Sequence, residues 1–365
     1  MRVLVVDDTV VYRKIVSDAL AAIPGVEVAG TASNGSIALA RIRTLKPDIV
    51  TLDVEMPEMN GLEVLEALKK ESISVGVIMI SSLTIRGGDM TMKALELGAF
   101  DFITKPEGGS TDQNMAAIRQ SLAPLLKAYA DQKEVRDILR NRVVPAPHGI
   151  SSKLPSGAEA ASPAQRMAGI ASKQKAEIIG IGVSTGGPNA LARMMPFLPD
   201  SLNVPILIVQ HMPPLFTQSL ANSLNAKCSL RVKEAENGEP ILPNIAYIAP
   251  GGKQMKAALG ANATSKIIHI TDDPPENHCK PSVDYAFRSL SHHYMGRATG
   301  VIMTGMGNDG VLGLRLMKRH GCTVIAQDQA SCVVFGMPKE AIDAGVVDIV
   351  VPLDRLAEEI IRTVR

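Results

Sequence analysis

Residues 178–191 read IIGIGVSTGGPNAL, an apolar run that halts at Ser184 and turns through Gly186 and Gly187. A continuous apolar run bounded by a glycine turn predicts a buried strand that leads into a helix, the opening half of a parallel α/β unit. Toward the C-terminus the alternation continues from about residue 176, with strands expected at EIIGIGV, PILIVQ, AYIAP, SKIIHIT, GVIMTG and TVIAQ. Toward the N-terminus the chain passes VVPAPHGISSKLPSGAEAASPAQRMAGIASKQ, rich in Pro, Ser, Ala and Gly and without periodic apolar residues, which reads as a linker. A polar stretch with helical character, QKEVRDILRNR, precedes it, and residues 1–127 show the same alternation, with strands at VLVVD, EVAGT, DIVTLD, VGVIMIS and DFITK. The expectation is an α/β protein of two doubly wound parallel-sheet domains, at residues 1–127 and 174–365, joined by a helical extension and flexible linker over 128–173.

A chain of 365 residues is long enough for two separate cores. Its net charge of +1, with no Lys/Arg cluster, leaves no electrostatic footprint for nucleic acid or anionic lipid. The N-terminal apolar stretch ends at Asp7 and Asp8, too soon for a signal peptide or a membrane span. A cytoplasmic monomer, neither membrane-inserted nor bound to nucleic acid, is expected. Cys228, Cys279, Cys322 and Cys332 include no C-x-x-C pair, which predicts free thiols in a reducing compartment rather than a disulfide frame or a zinc site.

In the first unit, polar groups stand where a parallel sheet places its chemistry, at the carboxyl ends of strands. Asp7 and Asp8 follow VLVV, Asp53 follows DIVTL, Ser81 follows VGVIMI, and Lys105 lies in ITKP. Three carboxylates at one edge repel each other unless a hard cation sits among them, and Mg²⁺ suits a few such oxygens plus water. Any one of these aspartates reads more readily as a helix cap, but the five residues together, spread over four strand ends, do not. VLVVDD, LDVEMPEMNG, ISS and FITKP resemble the receiver domain of bacterial response regulators, over roughly residues 1–125. The resemblance implies a flavodoxin-like fold in which Asp53 accepts a phosphoryl group from a histidine kinase. It further implies that Asp8, Asp53 and the Glu55 carbonyl hold Mg²⁺ with Asp7 assisting, that Lys105 and Ser81 contact the phosphoryl oxygens, and that Phe102 is the switch aromatic.

Gly182-Val183-Ser184-Thr185-Gly186 satisfies G-x-S-x-G, the sharp strand-to-helix turn that exposes a serine hydroxyl. Gly180, Gly182 and Gly186 also form a relaxed dinucleotide fingerprint, but the next strand ends in Gln210 and His211 instead of the acidic residue or arginine that a ribose requires. A serine needs an imidazole to take its proton, and the imidazole needs a carboxylate to orient it. Of His211, His269, His278, His292, His293 and His320, His211 is best placed, directly after an apolar strand; His278 in ENHCKPSVD is the rival. Asp309, in the glycine-broken loop MTGMGNDG, follows another buried strand, so Ser184, His211 and Asp309 can meet at one sheet edge. Their chain order disfavours the common esterase fold, which runs Ser, Asp, His.

GVSTGGP, VQHMPPLFTQSLA, IAPGG, PSVDYAFRSL, MTGMGNDG and QDQASCVVFGMPKEAI resemble the chemotaxis methylesterase domain, a Rossmann-like fold, so that with its receiver the chain resembles the chemotaxis protein-glutamate methylesterases. The resemblance implies a catalytic triad of Ser184, His211 and Asp309, with Thr185 and Met306 lining the site and no cofactor there. It implies demethylation of glutamate methyl esters on methyl-accepting chemoreceptors, deamidation of certain receptor glutamines, and phosphorylation-loosened cover of the serine by the receiver. A receiver-switched binding module without catalysis and a nicotinamide-dependent enzyme are the competing readings.

Overall fold

The computed structural model describes residues 1–141, 174–261 and 264–364. The first unit alternates β1 (Arg2–Val6), α1 (Val10–Ala21), β2 (Glu27–Ala32), α2 (Gly35–Leu45), β3 (Ile49–Asp53), α3 (Gly61–Lys70), β4 (Gly76–Ser81), α4 (Ile85–Leu97), β5 (Asp101–Thr104) and α5 (Thr111–Asn141). Its five strands lie in the order β2-β1-β3-β4-β5, all parallel. β3 and β4 are buried along their whole length because helices cover both faces of the sheet.

The polar stretch read as a separate helical extension is the end of α5, which runs on through Pro124. Ile118, Leu122, Leu125 and Leu126 bury one face of this helix against the sheet, and that packing holds it together where the proline removes a main-chain hydrogen bond. The rest of the expected linker, residues 142–173, lies outside the described residues.

The second unit comprises β6 (Ile178–Val183), α6 (Gly187–Met194), β7 (Ile206–Gln210), α7 (Phe216–Asn225), β8 (Arg231–Glu234), β9 (Ile245–Ile248), β10 (Gln254–Leu259) and β11 (Lys266–Thr271). It continues with α8 (Val283–Tyr294), β12 (Ala298–Ile302), α9 (Val311–Arg319), β13 (Thr323–Gln327), α10 (Met337–Asp343), β14 (Ile349–Val351) and α11 (Leu353–Val364). The main sheet is parallel, in the order β14-β13-β12-β6-β7-β9-β8. With the edge strand β8 set aside, this is the dinucleotide-fold order, whose topological switch lies between β6 and β12.

Two expectations need correction. SKIIHIT is β11, but it pairs antiparallel with β10 in a separate two-stranded sheet and takes no part in the parallel alternation. Strands β8, β10 and β14 were not expected: β8 and β14 are only 4 and 3 residues long, and β10 mixes Gln and Lys with apolar residues. A short or half-exposed strand carries too little period-2 signal to stand out from a loop.

The glycines of IIGIGV have a packing role. A Cβ on Gly180 would lie 2.6 Å from Leu290 and 2.8 Å from Phe287, and one on Gly182 would lie 2.4 Å from Val283. Their absence lets α8 close onto β6.

Candidate active site

Ser184 follows β6, His211 follows β7 and Asp309 lies in the loop after β12, so the neighbouring strands β7, β6 and β12 bring all three to the carboxyl edge at the switch. The turn at Ser184 is held by its backbone. Ser184 N–H donates to the Thr304 carbonyl at 3.0 Å, while the Ser184 carbonyl accepts from Gly187 N–H at 2.8 Å and from Gln210 Nε2 at 3.0 Å. Gly186 takes φ +74° at the start of α6, and a Cβ there would lie 2.5 Å from Val333, so no other residue fits. Thr185 is buried beside the serine, its carbonyl accepting from Thr304 Oγ1 at 3.0 Å.

Asp309 is buried and heavily bonded. Oδ1 accepts from Ser282 Oγ at 2.9 Å, Asp284 N–H at 3.1 Å and Asn277 Nδ2 at 3.2 Å; Oδ2 accepts from Val283 N–H at 2.7 Å. The main-chain donors belong to the first turn of α8, where free amides and the helix dipole favour a carboxylate. Burial would raise its pKa, but His211 and these amides overcome it and hold the carboxyl down at about 2. An ionised carboxylate only accepts, so the 2.8 Å contact between Asp309 Oδ2 and His211 Nε2 places the ring proton on Nε2. His211 Nδ1 is 3.8 Å from Cys279 Sγ. Burial alone would lower the His211 pKa, yet Asp309 and Cys279 together push it up to about 9.

Among the described residues no hydrogen bond joins Ser184 Oγ to His211. The two share a cavity of about 250 Å³ with Thr185, Pro188, Gln210 and Pro213. Its opposite wall is the first unit: Asp101, Phe102, Ile103 and Thr104 of β5, and Ser121 and Leu125 of α5. Met306 does not line this cavity; it lines a neighbouring one of about 570 Å³ between α5 and residues 329–339. Asp284, also in this region, accepts from Gly313 N–H at 2.7 Å and Asn277 Nδ2 at 2.8 Å and so buttresses the Asp309 cluster. His278 sits at positive φ and is exposed, and no contact brings it to the serine among the described residues.

Sequence reasoning passed over the contacts between the units. Phe102 stacks on Phe216, ring centroids 4.8 Å apart and 12° from parallel, so the aromatic of β5 packs on the helix that follows His211. Glu96 of α4 accepts from Ser223 Oγ at 2.7 Å and pairs with Lys227, both on the α7 side. At Asp101, desolvation pushes the carboxyl up to about 7 against hydrogen bonds from Phe102 N–H and the Thr185 hydroxyl.

At the other edge site, carboxylate oxygens of Asp7, Asp8 and Asp53 lie within 4.8 Å of one another. Lys105 Nζ is 2.6 Å from Asp53 Oδ2 and 2.8 Å from Asp7 Oδ2. Burial, with the neighbouring Asp7 charge, outweighs Lys105 and raises Asp53 to about 6. Three clustered oxygens, two of them on buried aspartates, fit a small hard cation. Ser81 is buried at the end of β4, its hydroxyl donating to the Gly87 carbonyl at 3.3 Å.

The fold and site define a class: a phospho-receiver-type α/β domain joined to an α/β enzyme domain with Ser, His and Asp at its switch point. The sequence profile of the CheB methylesterase family matches residues 179–360, and that of the response regulator receiver domain matches residues 3–118. A protein-glutamate methylesterase/protein-glutamine glutaminase of Desulfotalea psychrophila is 54% identical over 100% of this chain and 99% of its own length. One from Halalkalibacterium halodurans is 44% identical over 99% of this chain and 98% of its own. The crystal structure of the Thermotoga maritima CheB methylesterase catalytic domain covers 51% of this chain and 98% of its own, with 41% identity and a TM-score of 0.50. The chain belongs to the CheB methylesterase family, with a response regulator receiver at its N-terminus. No helix among the described residues is long and apolar enough to cross a membrane.

Proposed function

We propose that this protein hydrolyses γ-glutamyl methyl esters on chemoreceptors, releasing methanol, and deamidates receptor glutamines by the same acyl chemistry. The observation that carries the reading is the His211–Asp309 pair at 2.8 Å, in one cavity with Ser184. Ser184 Oγ attacks the ester carbonyl, His211 in its neutral form, whose share grows as pH rises toward 9, takes its proton and returns it to the leaving methanol, and water then clears the acyl-enzyme with His211 as base. Because Asp309 occupies Nε2, the acting nitrogen is Nδ1, the reverse of the usual serine-protease assignment. Gly186 and Met306 N–H groups, which donate to no acceptor among the described residues, are the candidate oxyanion donors.

Residues 1–127 act as the receiver and 174–365 as the catalytic domain, with 128–173 connecting them. Asp53 is the phosphoacceptor for a chemotaxis histidine kinase, and Asp7, Asp8 and Asp53 would hold Mg²⁺, which offsets charge on the phosphoryl oxygens. Lys105 contributes a second positive charge, and Ser81 lies at the adjacent strand end. Phosphorylation biases β5, whose Asp101 and Phe102 close over the serine, and so exposes the site. Methanol release from methylated receptor membranes, with and without a phosphodonor, tests the reading. Release that rises with phosphodonor is expected; none in either condition rejects it.

A further inference from the structure

The sequence spacing of the cysteines offers no zinc motif, yet the fold brings one cysteine onto the histidine of the site. Cys279 Sγ lies 3.8 Å from His211 Nδ1, and Asp309 completes a cluster whose ligand atoms all lie within 4.8 Å. A tight turn sets the thiol there: Cys279 N–H donates to the Glu276 carbonyl at 2.7 Å, Glu276 N–H donates back at 3.1 Å, and Asn277 and His278 between them take positive φ. The Cys279 carbonyl is held in turn by Gln254 Nε2 at 3.3 Å.

The 3.8 Å separation is within reach of a sulfur hydrogen bond to the imidazole, and it is also close to another distance. With Zn–S of about 2.3 Å and Zn–N of about 2.0–2.1 Å at a tetrahedral angle, sulfur and nitrogen stand about 3.6 Å apart. The remaining geometry also suits a metal. Asp309 holds the other ring nitrogen as a carboxylate–histidine pair, the arrangement that fixes the tautomer of a ligating imidazole and raises its basicity. With Oδ1 and Oδ2 engaged by Ser282, Val283, Asp284 and Asn277, Asp309 stays in that supporting place.

We propose that Cys279 Sγ and His211 Nδ1 bind a thiophilic divalent cation, Zn²⁺ foremost, and that its binding withdraws His211 from catalysis. Zn²⁺ takes His211 Nδ1 and the Cys279 sulfur, the thiol proton and the Nδ1 proton of the cationic ring both leave to solvent, and water completes the coordination. The consequence for catalysis rests on His211 being the base; the binding itself does not.

The test uses the full chain in a phosphine reductant, with Co²⁺ as the probe. A saturable thiolate-to-cobalt charge-transfer band that Zn²⁺ displaces is expected in the native protein and in Ser184→Ala, and is expected to be absent in Cys279→Ser and His211→Ala. Because Ser184→Ala reports binding without turnover, a failure of the esterase reading leaves this result standing. Zn²⁺ should also protect Cys279 from alkylation, read by mass spectrometry on unsubstituted protein. With a small ester, the zinc concentration that halves each variant's own zinc-free rate should rise at least about tenfold in Cys279→Ser. No band in the native protein, a band that survives in Cys279→Ser, or alkylation indifferent to Zn²⁺ overturns the proposal.

Discussion

Asp309 is the residue whose surroundings decide its role. A carboxylate that accepts two amides at a helix start, a serine hydroxyl, a side-chain amide and an imidazole is fixed in both charge and direction. Asp309→Asn should keep the loop but replace an acceptor by a donor at one oxygen, so the rate of methanol release should fall roughly 10³- to 10⁴-fold. Ser184→Ala should lose roughly 10⁴-fold or more, while its circular dichroism and melting curve match the parent. Asp309 also marks an acid limb of stability. Its folded-state pKa of about 2 lies below the ordinary 3.8, so the stability it contributes is present above 3.8 and is lost as pH falls toward 2. Chemical denaturation across that interval should show a shallower loss in Asp309→Asn than in the parent.

At the scale of elements, the pairing of β6 with α8 matters most, because one helix both packs on the strand that carries Ser184 and cradles Asp309 with its first turn. Gly182→Ala sets a methyl 2.4 Å from Val283, the residue whose amide binds Asp309 Oδ2. Overpacking of this kind costs about 1–3 kcal/mol, and here it also displaces the amide from the carboxylate. The variant should melt lower and lose activity by more than its folded fraction explains. A variant as stable and active as the parent would show that α8 shifts without disturbing Asp309.

For the whole molecule, the decisive fact is that the cavity of Ser184 has one wall from each unit. A fragment of residues 172–365 should hydrolyse receptor esters faster than the unphosphorylated chain, since it lacks β5 and α5 over the serine. Asp53→Asn should hold the full chain at its low rate whatever phosphodonor is added. Asp101 makes the cover pH-sensitive: desolvation raises its pKa from the ordinary 3.8 to about 7, so the docked state favours the neutral acid, weakens as pH rises from 3.8 toward 7 and levels off above that value. The ratio of full-chain to fragment activity should therefore climb as pH rises toward 7 and level off above it, and Asp101→Asn should flatten the climb. An unchanged ratio in both proteins would remove Asp101 from the coupling.

The primary sequence was enough for the two α/β units, for the strand ends bearing Asp7, Asp8, Asp53, Ser81 and Lys105, and for Ser184, His211 and Asp309 as neighbours at one sheet edge. Each of these follows from periodicity and from the rule that parallel strands present their carboxyl ends together, and both are local properties of the chain. The antiparallel β10–β11 pair was not legible, because a half-exposed strand looks the same whichever neighbour it pairs with. Nor was the ring nitrogen that Asp309 takes, the approach of Cys279 to the other one, or the placement of Met306 in the adjacent cavity. Those depend on side-chain directions set by the α8 start and the Glu276–Cys279 turn, 98 residues separating His211 from Asp309 and 68 separating it from Cys279. The stacking of Phe102 on Phe216 lies further still beyond the sequence, since a surface aromatic carries no signal of the partner that will cover it. Periodicity reports which face of an element is buried; only the packed chain decides against what.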